Sequence, residues 1–227
     1  MIESPSPART RIKICGLTRE QDVEAAAAAG ADAVGFVLYP KSPRYVSAAR
    51  AAELAARLPP LVTPVLLFVN ASAADVIAAS AGVTGAVLQF HGDETAAECA
   101  TVAARCQRPY WRAARIPAQG GAGLDLLEFA RDYSSAQAIL LDTLVDGFGG
   151  GGKTFNWSRL PPSVPAHLVL SGGLTPANVG AGLAWLRGRG LSLAIDVSSG
   201  VESAKGIKDA GKIRQFAAAV RAADASA

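Results

Sequence analysis

The sequence predicts a single-domain (β/α)8 barrel of the α/β class, and three observations predict it. Short apolar runs recur at a steady interval along the 227 residues. Most of the runs are continuous rather than alternating, the mark of strands buried on both faces of a parallel sheet. Helical segments with readable ends lie between them, and no composition break divides the chain. The length fits, because such barrels run from about 200 to 250 residues or more. The competing architecture is an open doubly wound sheet, which more often carries a glycine fingerprint after its first strand. Here Gly16-Leu17-Thr18 follows the first run and lacks G-x-G-x-x-G.

The runs, in order, are Arg11–Cys15, Ala33–Leu38, Pro64–Val69, Ala86–Gln89, Tyr110–Ala113, Ala138–Leu141, His167–Leu170 and Ser192–Val197. Tyr110–Ala113 departs from the pattern, since it contains Arg112. Between the runs, Arg19–Ala29 is alanine-rich and stops at Gly30, a C-cap residue type. Ser47–Leu58 opens on an N-cap serine and stops before Pro59-Pro60. Ser72–Ala81 opens on serine with Asp75 three residues on, close to a capping box. Glu94–Arg105 and Leu124–Asp132 follow, then Pro176–Arg187 with Thr175 at the cap and Pro176 in the first turn, and last Asp209–Ala223. Met1 to Thr10, with Ser-Pro-Ser-Pro and no apolar core, reads as a disordered lead and not a signal peptide, leaving 11–227 for the barrel.

Composition excludes several classes. A formal charge of +3 is too mild for a nucleic-acid surface. The three cysteines, Cys15, Cys99 and Cys106, are odd in number and form no CxxC pair, which points to a reducing compartment. With His91 and His167 the only histidines, a Cys/His zinc cage is not expected. No apolar run is long enough to span a membrane. The expectation is a cytoplasmic protein.

Barrel chemistry sits where strands end. Cys15 ends the first run, where a thiolate can act as base or nucleophile, against its ordinary behaviour as a small buried hydrophobe. Asp142 follows the sixth run, as an acid or base or as a loop cap. Arg44, after the second run and stiffened by Pro43, offers a planar fork for a carboxylate or phosphate. His91 near the mouth fits a satisfied structural histidine better than a general base. Cys99 and Cys106, seven apart on one helix, fit packing roles. Three small-residue loops, Gly149–Gly152, Gly172-Gly173 and Ser198-Ser199-Gly200, follow the last three runs and would adjoin one another around a phosphate, with Asp196 beside them. Gly147 to Thr154 also matches the P-loop pattern G-x-x-x-x-G-K-[ST], but Pro161-Pro162 leaves little room for the helix that such a loop requires.

Taken together, Lys13-Ile14-Cys15-Gly16, Gly35-Phe36-Val37, Ser42-Pro43-Arg44, Gln89-Phe90-His91-Gly92, Leu141-Asp142-Thr143, Gly152-Lys153-Thr154-Phe155, Leu170-Ser171-Gly172-Gly173-Leu174 and Asp196-Val197-Ser198-Ser199-Gly200-Val201-Glu202 resemble phosphoribosylanthranilate isomerases of tryptophan biosynthesis. The resemblance runs from Arg11 to the last helix in unbroken order. It implies an Amadori rearrangement of N-(5′-phosphoribosyl)anthranilate, without cofactor or metal, in a monomer or homodimer. By position it implies Asp142 as general acid, Cys15 as general base and Arg44 on the anthranilate carboxylate. It implies a phosphate grip from Gly150, Gly151, Gly152, Gly172, Gly173, Ser198, Ser199 and Gly200, with Asp196 as a further substrate contact. Three positions depart from the family pattern: Gly151 in place of threonine, Asn156 in place of aspartate and Phe90 in place of leucine. Competing readings are a nucleotide-binding P-loop protein, a catalytically silent phosphate-binding barrel, and the related isomerase of histidine biosynthesis. Cys15 argues against the last, since that family resembles this one but carries a carboxylate at the position.

Overall fold

A computed structural model describes residues 9–118, 124–144 and 154–226. Eight parallel strands close into a barrel in chain order: β1 Arg11–Cys15, β2 Ala33–Val37, β3 Thr63–Phe68, β4 Val87–Phe90, β5 Tyr110–Pro117, β6 Ala138–Leu144, β7 His167–Leu170 and β8 Ser192–Val197. β8 returns to β1, with Ile12 beside Ile195 and Lys13 beside Asp196. Among the described residues seven α-helices lie outside: α1 Glu20–Ala28, α2 Ala48–Ala55, α3 Ala73–Ala81, α4 Ala96–Cys106, α5 Leu126–Asp132, α6 Val179–Leu186 and α7 Ala210–Ala225. A small antiparallel pair, β9 Glu202–Ala204 and β10 Ile207–Lys208, sits between β8 and α7.

The continuous apolar runs have the meaning expected of them, because both strand faces are buried. Successive side chains alternate between two layers. Ile12, Ile14, Leu66, Phe68, Leu88 and Phe90 join the large core between strands and helices. Cys15, Leu67, Val65, Val87, Ala113, Leu140 and Val169 fill the barrel interior. Each fully buried leucine or phenylalanine contributes roughly 1.5–3 kcal/mol. Gly35 on β2 belongs to this inner layer, where a Cβ would fall 2.6 Å from Cys15 Sγ.

Three expectations need correction, the ends of the fifth and sixth strands and the start of the helix after the seventh. β6 continues to Leu144, so Asp142 lies within the strand, paired in register with Arg115 of a β5 that continues to Pro117. The apolar runs read from the sequence stop at Ala113 and Leu141, yet the ladder continues past both. The helix expected from Pro176 begins at Val179: the Asn178 amide oxygen accepts from the Thr175 N–H at 2.8 Å and holds Pro176 and Ala177 in a turn. Between β6 and β7 the described residues form no α-helix, only a 3-10 turn at Trp157–Arg159. That turn is capped by Asn156, whose oxygen accepts from Ser158 N–H at 3.1 Å, so the departure from aspartate keeps a capping group. Arg112, the one charged residue of the fifth run, points away from the barrel interior. It donates to Phe90 O at 3.0 Å and Gly92 O at 3.1 Å and stacks over Tyr133 and Phe129. Its work is to fix the loop after β4.

The serine caps at Ser47 and Ser72 follow the rules that predicted them, Thr175 caps no helix, and Thr95 is a cap the sequence reading did not name. Ser47, Ser72 and Thr95 each accept from the backbone three residues on, and Thr95–Glu98 closes a complete capping box. Cys99 is buried in the main core and Cys106 packs against it, as packing residues do. Burial pushes the Cys99 thiol up to about 12.

Candidate active site

The C-terminal ends of the strands surround one pocket. Cys15, Arg44, Asp142, Gly172, Gly173, Asp196, Ser198 and Ser199 all line it, together with Gln89, His91 and Ser171. Gly200 is not among the lining residues. A Cβ there would overlap the Leu174 carbonyl, so its glycine serves the close approach of the loops after β7 and β8. Gly150, Gly151 and Gly152 fall outside the described residues.

Asp142 is buried with both carboxyl oxygens engaged. Oδ1 accepts from the Thr143 N–H and Oδ2 lies 2.9 Å from His91 Nε2, each at 2.9 Å. The Gln89 amide lies 3.0 Å from His91 Nδ1. With the amide N–H donating to Nδ1, the imidazole carries its proton on Nε2 and donates to Asp142. Gln89 Oε1 is then left buried without a partner. His91 is therefore a satisfied histidine, and what satisfies it is the candidate acid. Gly172 sits directly against this carboxylate, with φ +78°, and a Cβ there would overlap Thr143 Oγ1 and come within 2.9 Å of Asp142 Oδ1.

Cys15 lies at the other side of the pocket, with β7 and β8 between its strand and β6. Burial pushes its thiol up, and Lys13 is the strongest influence the other way. Lys13 donates to Asp196 Oδ1 at 2.9 Å, inside the barrel.

Arg44 meets a protein carboxylate rather than open solvent. Its Nε and Nη2 donate to Glu202 Oε1 and Oε2 at 2.7 and 2.8 Å, a bidentate pair. Burial pulls the Arg44 guanidinium down, but Glu202 outweighs it and holds it above its ordinary value. Lys208 donates to the same Glu202 Oε1 at 2.7 Å and to Ser198 O at 3.0 Å, which ties the loop after β8 to the arginine. Burial raises the Glu202 carboxyl, but Arg44 and Lys208 together hold it below the usual carboxylate range. Nη1 of Arg44 makes no side-chain hydrogen bond among the described residues.

The sequence reading did not single out Gln89, Glu202, Lys13 or Lys208. Two of them carried a signal: Lys13 and Gln89 are polar residues inside apolar runs of strands buried on both faces. Such residues need a partner inside. Among the described residues no group of three or more His, Cys, Asp or Glu could hold a metal ion, and no helix is long and apolar enough to cross a membrane. The helix a P-loop requires after its threonine is also missing from the described residues, since Thr154 leads only to the 3-10 turn.

Comparison with known proteins meets this geometry. The model of the N-(5′-phosphoribosyl)anthranilate (PRA) isomerase family matches residues 12–219. An N-(5′-phosphoribosyl)anthranilate isomerase of Leptothrix cholodnii is 62% identical over 97% of this chain and 94% of its own. One from Methylibium petroleiphilum is 61% identical over 96% of each. Among solved structures, phosphoribosyl anthranilate isomerase from Thermotoga maritima superposes with a TM-score of 0.78 at 37% identity, covering 94% of this chain and 99% of that one. A phosphoribosyl anthranilate isomerase in complex with reduced 1-(o-carboxyphenylamino)-1-deoxyribulose 5-phosphate superposes at 0.75 with 34% identity, with the same coverage. A closed eight-stranded barrel with a cysteine and an aspartate facing one pocket is thus matched along nearly its whole length, and the chain belongs to the N-(5′-phosphoribosyl)anthranilate isomerase family.

Proposed function

We propose that this chain catalyses the Amadori rearrangement of N-(5′-phosphoribosyl)anthranilate to 1-(2-carboxyphenylamino)-1-deoxyribulose 5-phosphate, with Asp142 as general acid and Cys15 as general base. The observation that carries the assignment is the placement of these two groups on strands β6 and β1 around one pocket. An isomerisation of this kind adds and removes no atoms, and reaching its enolamine needs two proton transfers. Asp142 protonates the furanose ring oxygen, and the ring opens to a protonated Schiff base. Cys15, as thiolate, takes the proton from C2′, which leaves an enolamine that becomes the ketone as the 2′-hydroxyl loses a proton and C1′ gains one. Each transfer by a positioned group contributes roughly 10²–10⁴-fold.

The remaining residues hold the substrate between the two groups. Arg44 Nη1 serves the anthranilate carboxylate, with the fork held rigid from behind by Glu202. The loops at Gly172, Gly173, Ser198 and Ser199 serve the phosphate, and Asp196 serves the sugar side of the pocket. Anchoring both ends of the substrate places the reacting carbons without further loss of freedom. His91 and Thr143 N–H fix the direction in which Asp142 presents its oxygens.

The test is a fluorescence assay of the purified chain with the anthranilate substrate. Cys15→Ala and Asp142→Ala are each expected to lower kcat by at least about 10²-fold while leaving the circular dichroism spectrum unchanged. Wild-type turnover in either variant would overturn the role given to that residue.

A further inference from the structure

A buried lysine stands beside the proposed base with no part in the chemistry above. Lys13 is 2% exposed and sits two residues before Cys15, on the same face of β1. Its Nζ donates to Asp196 Oδ1 at 2.9 Å, its register partner on β8. It also borders the sulfur. A Cβ on Gly35 would lie 2.6 Å from Cys15 Sγ and 3.1 Å from Lys13 Nζ, so both groups flank the side chain that Gly35 lacks. Removing an ammonium from water costs several kcal/mol unless its partners answer it. Burial pulls the Lys13 ammonium down, but Asp196 and then Cys15 outweigh it and keep the lysine charged.

The charges that face Cys15 can be counted. Lys13 and Asp196 face it from β1 and β8, Lys208 from β10, and Arg44 from the loop after β2, with Glu202 of β9 between the last two. Asp142 of β6 and His91 after β4 share the pocket but are bonded to each other. Among the described residues, three cations and two carboxylates therefore surround the sulfur. The group carries one positive charge in excess with a thiol and none with a thiolate. Arg44 and Lys208 share Glu202 and Lys13 is paired with Asp196, and of these described cations Lys13 is the one that acts most strongly on the sulfur, from beside it on the same strand.

We propose that Lys13 is a positioning residue for Cys15: its buried ammonium, clamped by Asp196, stabilises the cysteine as the thiolate that takes the substrate proton. The proposal rests on the base role given to Cys15. Lys13 stays protonated throughout, and the proton removed from C2′ resides on Sγ. Asp196 acts at one remove, by preventing the ammonium from swinging away from the sulfur or losing its proton.

The experiment follows thiolate ultraviolet absorbance against pH, with the Cys15→Ala protein subtracted to remove Cys99 and Cys106. In Lys13→Met the midpoint of Cys15 is expected to rise by at least about one pH unit, a tenfold loss of thiolate at a fixed pH below it. The acid limb of the kcat/KM profile should move with it, and Lys13→Arg should restore part of the shift. Lys13→Met leaves Asp196 buried and alone, so Lys13→Met/Asp196→Asn, which removes both charges, is measured beside it and should shift in the same direction. An unmoved midpoint in a folded variant overturns the proposal, even where turnover falls, because Lys13 would then only fill space. The absorbance does not depend on turnover. Normal turnover in Cys15→Ala would therefore remove the base role, while the titration would still decide whether Lys13 governs the thiolate.

Discussion

The two ends of the barrel are made from the same eight strands and handle charge in opposite ways. At the N-terminal end, Arg9 and Arg11 pair with Asp32, Trp111 Nε1 donates to Gln137, and His167 meets Ser192, all in contact with solvent. At the C-terminal end, Lys13, Arg44, Asp142, Asp196, Glu202 and Lys208 are all at least nine-tenths buried. Cavity size does not mark the working end. The N-terminal cavity measures about 460 Å³ and the C-terminal one about 70 Å³. The distinction is energetic. An exposed pair contributes at most about 1 kcal/mol, whereas breaking a buried one costs roughly 3–5 kcal/mol. Carrying several buried charges at one end is a cost that folding alone does not require, and the chemistry of the pocket supplies the reason.

The sharpest way to break this comparison is Glu202→Gln. One carboxylate holds both the Arg44 fork and the Lys208 ammonium, so the substitution leaves two buried cations poorly answered. The expected loss is about 3 kcal/mol in urea unfolding at pH 7, with a rise in KM as Arg44 loses its fixed direction. The sign with pH follows from the depressed Glu202 carboxyl. Its contribution is fully present above the ordinary glutamate value near 4.5 and is lost as pH falls through the lower folded value. The stability gap between wild type and variant should therefore narrow in acid. A gap that is constant from pH 7 to pH 3 would mean that the pair contributes by packing and not by charge.

A second break addresses the acid side. Gly172→Ala places a methyl group against Thr143 and Asp142 at a backbone φ of +78°. Strain at positive φ and the overlap together should cost roughly 1–3 kcal/mol. Turnover should fall further than that stability loss explains, because the displaced atom is the candidate proton donor. Thermal unfolding and kcat measured on the same preparation separate the two effects. Unchanged kcat with lowered stability would show that Asp142 tolerates a shift of its oxygens.

These contrasts also explain what the sequence disclosed. The barrel was legible because burial on both faces leaves continuous apolar runs, and parallel strands need helices between them. The places of Cys15 and Asp142 beside the pocket were legible because a polar or ionisable residue near the end of an apolar run stands out against its neighbours. Their surroundings were not. Glu202 lies 158 residues from Arg44, and Asp196 lies 183 residues from Lys13. A sequence shows which residues carry charge but not which charges answer one another across a closed sheet. Local competition defeated the rest: Asn178 outcompeted Pro176 for the start of α6, and the ladder between Arg115 and Asp142 carried both strands beyond their polar residues.

The smallest expected effect is the control at the other end. His167 opens β7, exposed, with Nδ1 2.7 Å from Ser192 Oγ on the neighbouring strand. It shares the barrel wall with Val169 and the residues above it, so it is connected to the pocket through rigid strand. His167→Ala removes one solvent-facing hydrogen bond and no core contact. The expected change is within about 0.5 kcal/mol in urea unfolding, with kcat and KM unchanged in the fluorescence assay. A drop in kcat of tenfold or more from this substitution would show that the two ends are coupled through β7. Function would then depend on the whole cylinder rather than on the charges gathered at one rim. Wild-type kinetics would place the division between scaffold and chemistry inside single strands, between His167 at the base of β7 and Ser171 just beyond its top.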